Sequence, residues 1–282
     1  MNLLKKLTGI LLISLSFNLY AQVENRDVPY TKSLMKFIDC YFDHKISSRD
    51  FAVQLYNDSV ASCPDSYDEY QKETHLSRCD YYFGMYIIEM YDLTELEHAL
   101  DDTSKEYVDP VEYNRKIKAE AAVYFDAAIV HCLKAMKIRP ENSPDAMSIY
   151  AQALSANCTV HNIGYVLSNG LKIGQFAKKA AKADPKNATA WYSVSAQDVF
   201  APGIFGNAVR GRKKMLEYYS DETLIKERFD VFNFSSAIGY TYYRQNKYAE
   251  AREWYCKCQK IYPDNYAIKN LIKRIDTILA GK

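Results

Sequence analysis

The chain has 282 residues, of which 48% are hydrophobic and 25% are charged, and it holds 10 glycines and 8 prolines. This composition excludes collagen, linker-like disorder and most turn-rich all-β architectures. The net charge is +1, yet residues 22–112 carry a net charge of −12 and residues 113–282 a net charge of +11. We therefore expect a folded protein that is electrically polar along its length and has no nucleic-acid partner.

Residues 1–21 have the pattern of a cleavable signal peptide. Lys5 and Lys6 precede a short apolar run over 7–17, and Ala21 offers a small residue at the cut, so that Gln22 becomes the new N-terminus. The apolar run is about half of the roughly 20 residues that a membrane-spanning helix needs, which argues against an N-terminal anchor. We therefore expect an exported protein, periplasmic or extracellular, without a transmembrane segment after cleavage. The leader resembles bacterial leaders.

Beyond the leader, no segment alternates with period two, so the sequence predicts helices and no strands. Ser47 or Ser48 is expected to cap the second helix. The predicted helices are Thr31–His44, Ser48–Ser62, Ser66–Tyr91, Thr94–Asp109, Val111–Ile138, Pro144–Asn157, Leu171–Ala183, Ala188–Phe200, Ala208–Tyr219, Asp221–Phe229, Phe232–Arg244, Tyr248–Ile261 and Tyr266–Leu279. We expect one domain over 22–282, with an acidic, divergent part over 22–110, clearer repeats over 111–265 and a capping helix over 266–282.

An internal repeat is visible when the chain is aligned on four prolines, each followed by an acidic or polar turn. These prolines are Pro64, Pro140, Pro185 and Pro263. The residue five positions before each proline is small in all four copies: Ser59, Ala135, Ala180 and Cys258. Two more columns lie twelve and eight positions before the proline: Ala52, Ala128, Ile173 and Ala251, then Tyr56, Cys132, Ala177 and Tyr255. This spacing places small and medium residues on one helix face, where neighbouring helices can approach closely.

One copy of the repeat is similar to a known family. Residues 235–263 read Ser235-x2-Ile238-Gly239-x2-Tyr242, then Ala251-x3-Tyr255, Cys258 and Pro263, and this segment resembles the tetratricopeptide repeat. Trp191 fills the tryptophan place of another copy. The resemblance is to an exported bacterial member of that family. It implies an all-α, right-handed superhelical solenoid of antiparallel helix pairs, with about five or six pairs.

Motifs for catalysis or metal binding are weak in this sequence. Cys158-x2-His161 has a spacing that suits two metal ligands, and His131 beside Cys132 is a candidate to complete such a site. Asp43 and His44 form a candidate acid–base pair. In each case a structural role competes with the functional one, and we predict no catalytic site, no metal and no cofactor. The protein is therefore expected not to be an enzyme.

Seven cysteines in an oxidising compartment allow disulfides. The candidate pairs are Cys132–Cys158 and one pair among Cys40, Cys63 and Cys79. A small buried hydrophobic residue is the alternative for each of them.

Two basic strings are candidate docking faces, with Lys178, Lys179, Lys182 and Lys186 in one and Arg210, Arg212, Lys213 and Lys214 in the other. Their sign suits a contact with an acidic surface such as residues 89–112, but a solvated face is the alternative. They lack interleaved aromatic residues, which argues against single-stranded nucleic acid.

The resemblance also implies a binding groove, because the first helix of each pair in this family lines a concave surface. The family's inward positions correspond here to Asn233, Ser236, Tyr240, Tyr243 and Arg244, and in the Trp191 copy to Thr189, Tyr192, Ala196 and Phe200. The sequence therefore predicts a non-catalytic scaffold that binds an unidentified protein or peptide in this groove. The alternative is a periplasmic small-molecule-binding accessory protein of a membrane transporter. The oligomeric state stays open.

Overall fold

A computed structural model describes residues 26–91, 110–200 and 206–281. The predicted signal peptide and the predicted helix Thr94–Asp109 lie outside the described residues. The described part forms eleven α-helices and no strand, which confirms the all-helical prediction. None of these helices is long and apolar enough to cross a membrane.

The eleven helices follow one another with short connections. They are α1 Lys32–Phe42, α2 Arg49–Ala61, α3 Glu69–Tyr86, α4 Pro110–Ile138, α5 Pro144–Val160, α6 Ile163–Ala183, α7 Ala188–Phe200, α8 Ala208–Ser220, α9 Arg228–Arg244, α10 Tyr248–Ile261 and α11 Tyr266–Ala280. A turn of π-helix, Ile87–Tyr91, continues α3. Each helix packs against the next one along the chain. Helices α3, α5, α7 and α9 also contact one another in that order, and we call them the inner layer.

Local capping explains where several helices begin. Ser48 accepts a hydrogen bond from the Phe51 amide at the start of α2, which confirms the predicted cap. Asp68 and Gln71 form a capping box at the start of α3. The four repeat prolines each follow the end of a helix, namely α2, α4, α6 and α10.

Two predicted boundaries are wrong. Helix α6 begins eight residues before the predicted Leu171, because the Asn162 side chain accepts from the Tyr165 amide and caps it. The predicted helix Asp221–Phe229 is a turn over 221–227, since Asp221 accepts hydrogen bonds from Thr223 instead of starting a helix. Helix α9 then begins at Arg228.

The small-residue column of the repeat lies in the interior. Ser59, Ala135, Ala180 and Cys258 are all fully buried. Glycines create a second kind of close approach. A Cβ at Gly239 of α9 would lie 3.0 Å from the Tyr255 ring of α10, and a Cβ at Gly84 of α3 would lie 2.6 Å from the Phe125 ring of α4. Consecutive helices therefore approach closely at positions that tolerate little more than a hydrogen atom.

The first helix also contacts the end of the chain. The Tyr262 hydroxyl donates to Asp39 at 2.8 Å, and the Asn265 amide donates to the Phe42 carbonyl at 2.7 Å. The Phe42 ring stacks on Tyr262 with centroids 5.4 Å apart and meets Phe232 edge-on at 5.3 Å. Helix α1 thus fills space between the first and the last inner helices.

Candidate binding groove

The inner layer has two ends, and the end formed by the first turns of α5, α7 and α9 is closed by residues 26–30. Arg26 is buried there. Its guanidinium donates to Asp230 at 3.0 Å and to the Ile225 carbonyl at 3.1 Å, and its Nε lies 3.3 Å from Glu227. Asp145 of α5 lies 4.0 Å away. Three carboxylates from two inner helices therefore surround one cation.

This charge arrangement fits the helix ends that produce it. Glu227 caps α9, and Asp230 and Asp145 lie in the first turns of α9 and α5. Negative side chains are favoured at these positions because the helix dipole is positive there. Burial lowers the pKa of the Arg26 guanidinium, but the charges of Asp230, Asp145 and Glu227 raise it further than burial lowers it. Arg26 therefore stays charged, and its carboxylate partners neutralise it.

A second buried arginine holds the backbone of the same segment. Arg78 of α3 donates to the Val28 carbonyl at 2.6 Å and lies 3.2 Å from Asp145. Asp145 in turn accepts from the Val28 amide at 3.0 Å. The Arg78 guanidinium also lies 4.0 Å from the centroid of the Tyr30 ring. The segment is therefore recognised through its main chain as well as through its side chains.

The opposite end of the inner layer carries the predicted groove residues, and three of them lie together. The Phe200 ring of α7 lies 5.4 Å from the Tyr240 ring of α9, and the Arg244 guanidinium lies 5.8 Å from Tyr240. Phe200 is 49% exposed and Arg244 is also exposed. We call Phe200, Tyr240 and Arg244 the Tyr240 face.

The other groove residues have different surroundings. Tyr192 meets Phe234 edge-on at 5.5 Å, and its partial burial, followed by the charges of Glu89 and Asp230, raises its hydroxyl pKa. Tyr243 turns toward Tyr248 of α10 instead of Tyr240. Asn233 and Ser236 are half-buried along α9. The seven predicted residues therefore form no single cluster.

The predicted repeat residues have structural contacts. Trp191 donates its indole N–H to the Pro185 carbonyl at 2.9 Å and stacks on Tyr218 of α8 at 4.7 Å. The ring of Tyr242 lies under the Arg212 guanidinium at 4.3 Å. Ala251 and Tyr255 are buried in one cluster with Cys258.

One predicted basic string is used inside the molecule. Arg210 forms a two-point contact with Asp198 at 2.5 and 3.1 Å, and Lys214 lies 2.9 Å from the same carboxylate. The hydrogen bond from Arg210 holds the pKa of Asp198 below its usual range. Arg212 donates to Gln245 at 2.8 Å. This string therefore fastens α8 to α7 and α9 instead of forming a free docking face.

The candidate disulfides are not formed. All seven cysteines are free thiols. Cys132 and Cys79 lie in the core, where burial raises their thiol pKa, to about 12 for Cys132. The oxidising compartment permitted disulfides, but the cysteines occupy packing positions in this structure.

The histidines of the sequence motifs have other partners. His131 lies 2.5 Å from Glu73 and 3.6 Å from Asp80, and His161 stacks on Tyr165. Asp43 and His44 accept from the amides of Asp264 and Tyr266 and so fasten α1 to the α10–α11 turn. Within the described ranges, no group of three or more His, Cys, Asp or Glu side chains is arranged to hold a metal.

A shallow depression of about 460 Å³ lies along α1, away from the predicted groove. Charged side chains line it: Lys32, Lys36, Asp39, Asp43, Lys45 and Arg228. Lys45 pairs with Asp43 at 2.6 Å and Arg228 lies 3.8 Å from Asp39, so much of this charge is compensated.

The sequence reasoning missed the closed end. Arg26 stands alone in a segment without helical periodicity, and Asp145, Glu227 and Asp230 have the sequence appearance of ordinary capping residues. The available signal was that acidic first turns recur on successive inner helices. An N-terminal arginine is a suitable partner for such turns.

No family model matches the chain, and no curated protein matches it. The resemblance to the tetratricopeptide repeat therefore stays a prediction.

Proposed function

We propose that the protein is a non-catalytic, exported scaffold that binds a protein or peptide partner. In this proposal the helices form a solenoid of pairs like the tetratricopeptide repeat, in which α3, α5, α7 and α9 are the first helices. Three features support it: the buried small-residue column, the glycine under an aromatic ring in both α3 and α9, and the succession of inner contacts.

The Tyr240 face is the observation that carries the binding proposal. A half-exposed phenylalanine stacks near a tyrosine, and an exposed arginine lies beside them. Tyrosine and arginine are enriched among residues that dominate binding energy, because they offer rigid contact area with polar groups at the edge. Arg244 also lies in the last turn of α9, where the helix dipole favours a cation, so it is held in place without a carboxylate partner among the described residues.

A photoreactive amino acid at position 240 tests this proposal in cells that make the protein. We expect a cross-linked partner at this position. The same probe at Tyr266, which is 49% exposed on α11, is the matched control. The partner band should weaken when Arg244→Ala is added. Equal cross-linking at both positions, or no dependence on Arg244, would contradict binding at this face.

The small-molecule alternative predicts a closed pocket lined by Tyr192, Tyr240 and Tyr243. Tyr243 turns away from Tyr240, which disfavours that lining. Calorimetry with the cross-linked partner, once identified, separates the two proposals, because a macromolecular partner binds without an added small ligand.

A further inference from the structure

Helix α6 has two apolar faces, and one of them is uncovered. Its inner face is buried against α5 and α7 through Gly174, Ala177, Ala180 and Ala181. On the other side, Ile163, Leu167 and Leu171 are 71%, 74% and 71% exposed, which makes them the most exposed large hydrophobic residues of the described chain. A helix that packs through one face does not need these side chains, so the second face asks for a separate explanation.

The exposed apolar side chains belong to one continuous ridge. Successive members are spaced by four or three residues, which keeps them on one side of the helix. All members are exposed, and we call them the α6 ridge: Ile163, Leu167, Leu171, Gln175, Lys178 and Lys182. The ridge spans about 28 Å, from an apolar half to a basic half.

The charge of α6 has a single sign. From Asn162 to Ala183 the sequence has no acidic residue, and its four charged residues are lysines: Lys172, Lys178, Lys179 and Lys182. This basic string differs from the one in α8, whose arginine and lysine are paired with Asp198. The ridge also has no overhanging neighbour at Gly170, where an added Cβ would meet nothing within 4 Å.

We propose that the α6 ridge docks on an anionic lipid surface. Helices that combine leucine or isoleucine with lysine and lack acidic residues lie in the membrane interface, with the apolar side chains entering it and the cations contacting headgroup phosphates. A bilayer surface requires no pocket, which suits a ridge without neighbouring walls. Each lysine near an anionic surface strengthens binding about fivefold.

A second copy of the chain fits the ridge less well. If two ridges pack antiparallel, Lys178 and Lys182 of one copy face Ile163 and Leu167 of the other. If they pack parallel, lysines face lysines. Neither arrangement pairs opposite charges, so charge complementarity favours the lipid surface.

Vesicle flotation tests the proposal with a chain from Gln22 to Lys282, which contains every described residue and omits the apolar run of the leader. We expect flotation with vesicles of phosphatidylglycerol and phosphatidylcholine, and much less with phosphatidylcholine alone. The double variant Lys178→Gln/Lys182→Gln should reduce partitioning about 20-fold. The double variant Leu167→Ser/Leu171→Ser should reduce it at least tenfold.

The controls are Lys273→Gln and Leu279→Ser on α11, where both side chains are exposed. They should change partitioning less than about twofold, and circular dichroism should show all variants equally folded. Absence of flotation, or equal flotation of ridge and control variants, would overturn the proposal. Self-association that Leu167→Ser/Leu171→Ser abolishes, without vesicle binding, would instead make the ridge an interface between copies.

Discussion

The two ends of α9 differ in what covers them. At its beginning, Asp230 is buried beneath Arg26 and Phe229 is buried beneath Tyr30. At its last turn, Tyr240 is half-buried and Arg244 is exposed. The helix dipole favours an acid at the first end and a base at the second, so both ends are electrostatically favourable. The comparison shows that the same inner layer binds a segment of its own chain at one end and leaves the other available.

Replacing the arginine at each end gives the largest contrast. Arg26→Met leaves three carboxylates near one another without their cation, and we expect a loss of about 3–5 kcal/mol in the free energy of unfolding. Arg244→Met is the matched control and should change it by about 0.5 kcal/mol or less, because the side chain is exposed. Urea unfolding of both variants measures the difference. Similar losses would mean that the two ends are not distinct.

The open end is expected to be open on its inner side alone, since Gly239 packs against Tyr255 behind it. Gly239→Trp should overpack this contact and lower the free energy of unfolding by about 1–3 kcal/mol or more. Gly170→Trp is the control, because nothing lies within 4 Å of an added Cβ there. An unchanged melting temperature for Gly239→Trp would contradict the repeat register.

Acid should weaken the part of the molecule behind the closed end. His75 of α3 is fully buried and contacts the Ser59 carbonyl at 2.9 Å, while its Nδ1 has no hydrogen-bond partner. Burial lowers its pKa from the ordinary 6.5. The unfolded state therefore binds the proton more readily, and stability is lost as the pH falls below 6.5 toward the lower folded pKa. The loss approaches about 1.4 kcal/mol per pH unit for one proton.

The variant His75→Gln removes this proton and should flatten that part of the pH dependence, measured by urea unfolding between pH 7 and 5. Because burial also lowers the pKa of His44, the wild type is compared with the variant instead of with a flat line. Identical slopes would exclude His75 as the source.

The smallest effect on stability is expected from Arg244→Ala. The free energy of unfolding should change by about 0.5 kcal/mol or less, since the side chain is exposed. Binding of the partner identified by cross-linking should weaken about fivefold or more, as measured by calorimetry, because one anchor of the Tyr240 face is lost. A variant that binds as tightly as the wild type would remove Arg244 from the site.

Helix bounds were predicted well where the periodic pattern is strong and ends in a clear breaker. Ala188–Phe200 and Tyr248–Ile261 have the predicted bounds. The beginning of α6 was missed because residues 163–170 contain two glycines and no charge, which is typical of a connection. In the structure this stretch is helical, and its apolar residues are exposed.

The candidate site was predicted in part. The family positions brought Phe200, Tyr240 and Arg244 together correctly, since they lie at helical spacings on two adjacent helices. Tyr243 lies at a similar spacing but turns toward α10. Spacing defines the side of a helix to within a few tens of degrees, and the packing of the neighbouring helix decides the rest.

The sequence by itself determined the helical class, most helix ends and the buried small-residue column, because these depend on interactions between residues a few positions apart. The tertiary structure decided the closed end. Arg26 meets Asp230 across 204 residues, Val28 meets Asp145 across 117, and Tyr262 meets Asp39 across 223. No local pattern encodes such pairs. They form because the inner helices bring their acidic first turns together, and a buried cation is stable only where those charges compensate it.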